Sequence, residues 1–190
     1  MTVRTKPELG HGIFYCSFTC YKWLPLFEMV QIYDHIYSLF GFLRSKGILI
    51  IGFVIMPNHM HLIMYIPQGQ AITKVLSNAK RFMAYEIVKR LKKLNQAQVL
   101  AVLKDGVNSH DQKKGKLHQV FEPSFDIKPC YTLDFIHQKL EYIHHNPVKG
   151  KWRLVEDFAR FEHSSAAFYE LDQPSEHITH IREVLEIIDL

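Results

Sequence analysis

Histidines at positions 59 and 61 and a tyrosine at 142 are the residues of this 190-residue chain whose types and spacing bear most directly on chemistry. The histidines open the run His59 to Ile66 (HMHLIMYI), whose β-branched, aromatic and apolar content predicts a strand. Side chains on a strand alternate between faces, so His59, His61, Ile63 and Tyr65 share one face and the two imidazoles are neighbours. Two imidazoles side by side can offer ring nitrogens to one cation, and imidazole suits transition metals. A half-buried strand with hydrogen-bonded histidines has the same H-x-H pattern. The position directly after Pro57 and Asn58 puts the pair at a strand end open to ligands.

The tyrosine lies in a second pattern. Thr132 to His145 predicts a helix that must stop near Asn146, because Pro147 follows. Leu133, Ile136, Leu140 and Ile143 form its apolar stripe, and Tyr142 points away from them, with Gln138 and Asn146 one turn to either side. An amphipathic surface tyrosine satisfies the same spacing. If the polar stripe faces the histidines, a phenolate there can attack a phosphodiester and hold the cut strand as an ester. A divalent cation would polarise the phosphate, with Asn146 as a third, oxygen ligand. A metal phosphodiesterase using an activated water in place of Tyr142 is an alternative, and it would form no covalent adduct.

The elements that must position these residues read as follows. Ile13 to Thr19 is a strand, and Leu26 to Leu43 is a helix with one buried face. Ile48 to Met56 and His59 to Ile66 form a hairpin across Pro57 and Asn58. Residues 69–94 form a long basic amphipathic helix, and 95–118 a polar, irregular, flexible insertion. Val120 to Ile127 is a strand, and a helical tail from about residue 170 ends in Ile178 to Ile188. This order predicts a single α+β domain over 1–190, a ferredoxin-like or RRM-like antiparallel sheet with helices packed on it.

Composition narrows the class. Lys+Arg 23 against Asp+Glu 19 gives a net charge of +4, a mild pull towards polyanions whose meaning depends on placement. Lys149, Lys151 and Arg153 directly follow the tyrosine helix, and Lys80 and Arg81 lie on the basic helix; these are the candidate DNA contacts. Three cysteines without a C-x-x-C pair fit a reducing cytoplasm, and the polar first residues do not read as a secretory signal. The longest apolar run, Gly47 to Met56, is too short to span a bilayer, so no membrane partner is expected.

The segments GFVIMPNHMHLIM (52–64), KLEYIHHNPVKGKWRLV (139–155) and FEHSSAAF (161–168) resemble the single-tyrosine HUH transposases, and within them the REP-associated tyrosine transposase branch. His59 and His61 match the metal histidines of the PNHxH motif. Tyr142 and Asn146 match the nucleophile and third metal ligand of the YIHxNPV motif. The resemblance implies cleavage and rejoining of single-stranded DNA beside hairpins, with Mg²⁺ or Mn²⁺, through a 5′-phosphotyrosine. It leaves open a homodimer or a monomer. The sequence KGKWRLV after NPV and the 95–118 segment depart from the relatives and bear on which DNA is recognised. A non-catalytic nucleic-acid-binding module of the same fold is the other alternative, although the RNA-recognition consensus K/R-G-F/Y-G/A-F-V-x-F/Y is absent.

Overall fold

In the computed structural model, residues 10–123 and 126–188 are described. Among them four strands form one antiparallel sheet: β1 (Gly12–Thr19), β2 (Leu49–Ile55), β3 (His59–Ile66) and β4 (Asp126–Pro129), in the order β2-β3-β1-β4. The helices are α1 (Leu26–Val30), α2 (Tyr33–Ser45), α3 (Ile72–Lys93), α4 (Ala97–Asp105), α5 (Ser109–Lys113), α6 (Leu133–His144), α7 (Ala166–Glu170) and α8 (Ile181–Ile188). None is long and apolar enough to cross a membrane.

The alternation of β1 and β3 explains the layering. Phe14, Cys16, Phe18, Met60, Leu62 and Met64 turn to one face, where they pack with Phe40 of α2 and with Leu76, Met83 and Ile87 of α3. Ile13, Tyr15 and Ile63 turn to the other, against Ile136, Leu140 and Ile143 of α6 and Ile181 and Val184 of α8. The sheet is an α+β sandwich covered on both faces. β1 and β3 are its central strands, and Ser17 pairs with His61 and Thr19 with His59. The residues with chemical potential are therefore held on the best-supported backbone of the sheet.

Several elements differ from the reading of the sequence. The helix expected over 26–43 is two helices, because Gln31 takes a left-handed conformation (φ 49°) that ends α1. The segment 95–118, expected to be irregular, contains α4 and α5. Leu103 is fully buried, and Val99 and Leu100 pack beside it, so a short apolar periodicity inside polar sequence is enough to dock α4 on α3. The strand expected over 120–127 begins only at Asp126; Phe121 makes an isolated bridge to Cys20, and Ser124 and Phe125 lie outside the described residues. The last helix starts at Ile181, three residues later than Ile178. Leu133, assigned to the packed stripe, is 46% exposed, since the first turn of α6 projects past the core.

Gly52 decides how closely α6 approaches the sheet. It sits where the β2–β3 register shifts, and a methyl group there would overlap Leu140 Cδ2 and press on Ile143 Cδ1 and Ser165 Oγ, each 3.3 Å away. We expect Gly52→Ala to lower stability by about 1–3 kcal/mol through overpacking, read from urea unfolding. Because the displaced residues are those that seat α6, the helix should shift on the sheet with it.

Candidate active site

β3 begins at a turn built around Asn58, whose side chain is fully buried. Its Nδ2 donates to the Trp23 carbonyl at 3.0 Å, so the Oδ1 is left to accept from His59 Nδ1 at 2.7 Å. That bond protonates His59 at Nδ1 and leaves the lone pair at Nε2. His61 points to the same face and is 7% exposed, with its Nδ1 2.8 Å from the Tyr15 hydroxyl. Tyr15 stands on β1 one pleat from Ser17, which is near enough to offset part of the rise in the phenol pKa. Burial, reinforced by the Tyr142 phenol, pushes the Tyr15 pKa up, so this group stays a neutral hydroxyl. The two imidazole centroids are 5.0 Å apart.

α6 brings the tyrosine to this face. Ile136, Leu140 and Ile143 bury its apolar side, while Thr132 caps its N-terminus by accepting from Phe135 N. Its far end is tied to the edge of β2: His144 Nε2 and Ser165 Oγ are 2.8 Å apart, and Ser165 Oγ accepts from Phe53 N at 2.9 Å. The FEHSSAAF segment thus anchors the helix by a hydrogen-bonded bridge. Burial holds the His144 imidazole down at about 4, so it is neutral in this role. Tyr142 itself is 48% exposed, and its ring lies 5.5 Å from His61 and 6.4 Å from Tyr15, edge-on to both.

Asn146 closes the arrangement. Its Nδ2 donates to the Tyr142 carbonyl at 2.9 Å, and its side chain stands close enough to His59 and His61 to offset part of the fall in their pKa values. With the amide nitrogen turned to the carbonyl, the Oδ1 is the atom that faces the imidazoles. Burial lowers the pKa of His59, and burial together with the His59 charge brings that of His61 to about 3. Both rings are neutral around pH 7 and have lone pairs to give. Two imidazole nitrogens and an amide oxygen converging from one side are a donor set that fits a divalent cation and leaves its other positions open. Among the described residues no group of three His, Cys, Asp or Glu does the same. Lys139, one turn before Ile143 on α6, holds its ammonium 5.6 Å from the Tyr142 ring centroid and 5.0 Å from that of Tyr15, a fixed positive charge beside the phenol.

The structure thus gathers His59, His61, Tyr142 and Asn146 into one cluster. The other candidates are elsewhere. Lys149, Lys151 and Arg153 are exposed beyond the short 3₁₀ turn Asn146–Val148, and Lys151 covers the Trp152 ring. Lys80 and Arg81 line a groove of about 900 Å³ between α3 and residues 114–123, together with Tyr85, Lys116 and Phe121. That groove contains none of the four clustered residues, and Lys80 is engaged there with the Glu122 carbonyl at 2.9 Å. Tyr15 and Asn58 were not singled out from the sequence. Asn58 reads as a turn residue, and Tyr15 as one aromatic among several on an apolar strand; only the register with His61 exposes the role of the latter.

Comparison with known proteins bears on the family resemblance and on the fold. Residues 27–102 match the family model described as "Transposase IS200 like", a span that includes both histidines. No curated protein matches the sequence. The fold is similar to that of a REP-associated tyrosine transposase bound to a REP hairpin, with a TM-score of 0.57 and 18% identity over 94% of each chain. A structure from Deinococcus radiodurans R1, described as a candidate transposase, aligns over 76% of this chain and 97% of its own, at 14% identity and a TM-score of 0.35. Over residues 27–102 the chain thus resembles the IS200-like transposases, and its fold is similar to that of a REP-associated tyrosine transposase.

Proposed function

We propose that this chain is a transposase of the IS200-like, REP-associated kind that cuts and rejoins single-stranded DNA beside hairpins, with Tyr142 as nucleophile and His59, His61 and Asn146 holding Mg²⁺ or Mn²⁺. The observation that carries the reading is the seating of an exposed tyrosine with its ring centroid 5.5 Å from that of His61, and of Asn146 beside both imidazoles, all within one chain. A homodimer that exchanged its tyrosine helices is not needed to complete such a site. The bound cation would neutralise charge on the scissile phosphate and on the leaving oxygen.

The residues do the rest. The Tyr142 phenol gives its proton to solvent at its open side as its oxygen attacks, with the Lys139 ammonium beside the ring. The phenolate oxygen bonds to phosphorus as the bond to the 3′ oxygen of the preceding nucleotide breaks. That oxygen leaves as a 3′-hydroxyl after taking a proton from water. The DNA stays joined to Tyr142 through its 5′ phosphate until another 3′-hydroxyl attacks, releasing the phenol and sealing a strand. Incubation with an end-labelled hairpin bearing single-stranded flanks and Mn²⁺ should yield a protein–DNA adduct that survives denaturation. Cleavage without adduct would favour an activated water, and binding without either would favour a non-catalytic module.

Tyr15 is expected to orient His61. In the tautomer that frees His61 Nε2, Nδ1–H donates to the Tyr15 oxygen. Tyr15→Phe removes that acceptor and should weaken the affinity for Mn²⁺ about 10- to 100-fold, the usual cost of losing a ligand's outer partner. A Mn²⁺ titration of adduct formation, with the yield recovering at high metal, checks this.

A further inference from the structure

We propose that Trp23 is a stacking platform for an unpaired nucleobase next to the phosphate that Tyr142 attacks. The inference rests on the DNA-cleaving reading above and adds a substrate subsite to it. Trp23 is a large apolar side chain left 57% exposed, although the neighbouring Leu26 and Phe27 are fully buried. Its ring centroid lies 6.0 Å from His59, edge-on, so the indole borders the cluster of imidazoles directly. The backbone is held in place for this. Lys22 and Trp23 both take left-handed conformations, at φ 52° and 57°, which cost energy for residues with side chains. The Trp23 carbonyl accepts from Asn58 Nδ2, while the same Asn58 side chain fixes His59. One buried amide therefore sets the indole and the imidazole in a common frame.

A rigid exposed indole at the edge of a phosphate-handling site fits the flat face of a base. Stacking of this kind tolerates any base and requires it to be unpaired. It matches a strand whose scissile phosphate must be presented outside a duplex. Lys22, exposed beside Trp23, adds a cation for the neighbouring phosphate, and its backbone N–H is fastened to Glu122 Oε1 at 2.8 Å.

The test uses the full chain carrying Tyr142→Phe, so that binding is read without cleavage. Trp152→Phe is added because the chain has only two tryptophans. The probe is a DNA hairpin with single-stranded thymidine flanks, and a matched hairpin with abasic flanks. Indole fluorescence should be quenched by the first and not by the second. Trp23→Ala should weaken binding of the thymidine probe roughly 5- to 140-fold, the equivalent of ~1–3 kcal/mol per stacked base. Trp23→Phe should recover part of that loss. Abasic flanks should weaken the parent to the same level and leave Trp23→Ala nearly unaffected; a structural role for the ring predicts no such non-additivity. Equal affinity of Trp23→Ala and parent, or equal quenching by both probes, overturns the inference. If cleavage by the wild-type chain is normal while Trp23→Ala binds as the parent does, only this subsite fails. If the wild-type chain neither binds nor cuts the probe, the functional reading fails and the subsite with it.

Discussion

Tyr142→Phe is expected to abolish the denaturation-resistant adduct and to lower hairpin cleavage by at least about 10⁴-fold, the scale seen when a covalent nucleophile is removed. The substitution deletes one oxygen and keeps the ring that lies edge-on to His61 and Tyr15. Because the side chain is 48% exposed and its oxygen is not part of the packed core, stability should change by no more than about 0.5 kcal/mol. DNA affinity should be retained for the same reason. The pairing of lost chemistry with intact folding and binding is what separates a nucleophile from a surface tyrosine. A variant that still forms full adduct would remove Tyr142 from the mechanism, whatever the position of its ring. The readout is a denaturing gel with labelled hairpin and Mn²⁺, set beside an unfolding curve and a binding isotherm.

Much of the site was legible in the sequence because it depends on parity and period. The alternation along HMHLIMYI places His59 and His61 on one face, and the observed register puts both on the face that α6 covers. The stripe Ile136, Leu140, Ile143 predicts that Tyr142 avoids the core, as it does. What periodicity does not carry is the meeting of two elements some eighty residues apart. That meeting is made by contacts with no local signal. Gly52 admits Leu140 to the sheet, and Ser165 reaches both Phe53 and His144. Asn58 and Tyr15 are hidden for a related reason: each acts through the ring nitrogen of a neighbour, and only hydrogen-bond geometry shows which nitrogen that leaves free. The helices α4 and α5 illustrate the opposite error. Val99, Leu100, Leu103 and Val107 are spaced as a helix requires, but the surrounding lysines and glutamines masked four apolar residues in a segment of mostly polar character.

His59→Ala and His61→Ala should each reduce adduct formation by about 10³-fold or more at millimolar Mn²⁺, and a chelator should do the same to the wild-type chain, because in the proposed reaction the cation would neutralise charge that develops only in the transition state. Binding of the hairpin should fall far less, since on the proposed reading the phosphates would be positioned by basic residues outside the cluster. The two variants should nevertheless differ in stability. His61→Ala leaves the buried Tyr15 hydroxyl without its imidazole partner, so a loss of about 1–2 kcal/mol is expected. His59→Ala strips the acceptor Oδ1 of fully buried Asn58 of its donor, and Asn58 also secures Trp23 through its Nδ2. A loosened Asn58 would disturb the turn that starts β3, so His59→Ala should destabilise at least as much as His61→Ala even though His59 is the more open of the two rings. Calorimetric or urea unfolding beside the adduct assay distinguishes this from a purely catalytic loss. Cleavage that persists unchanged in either variant, or in excess chelator, would exclude the imidazole pair as the seat of the cation.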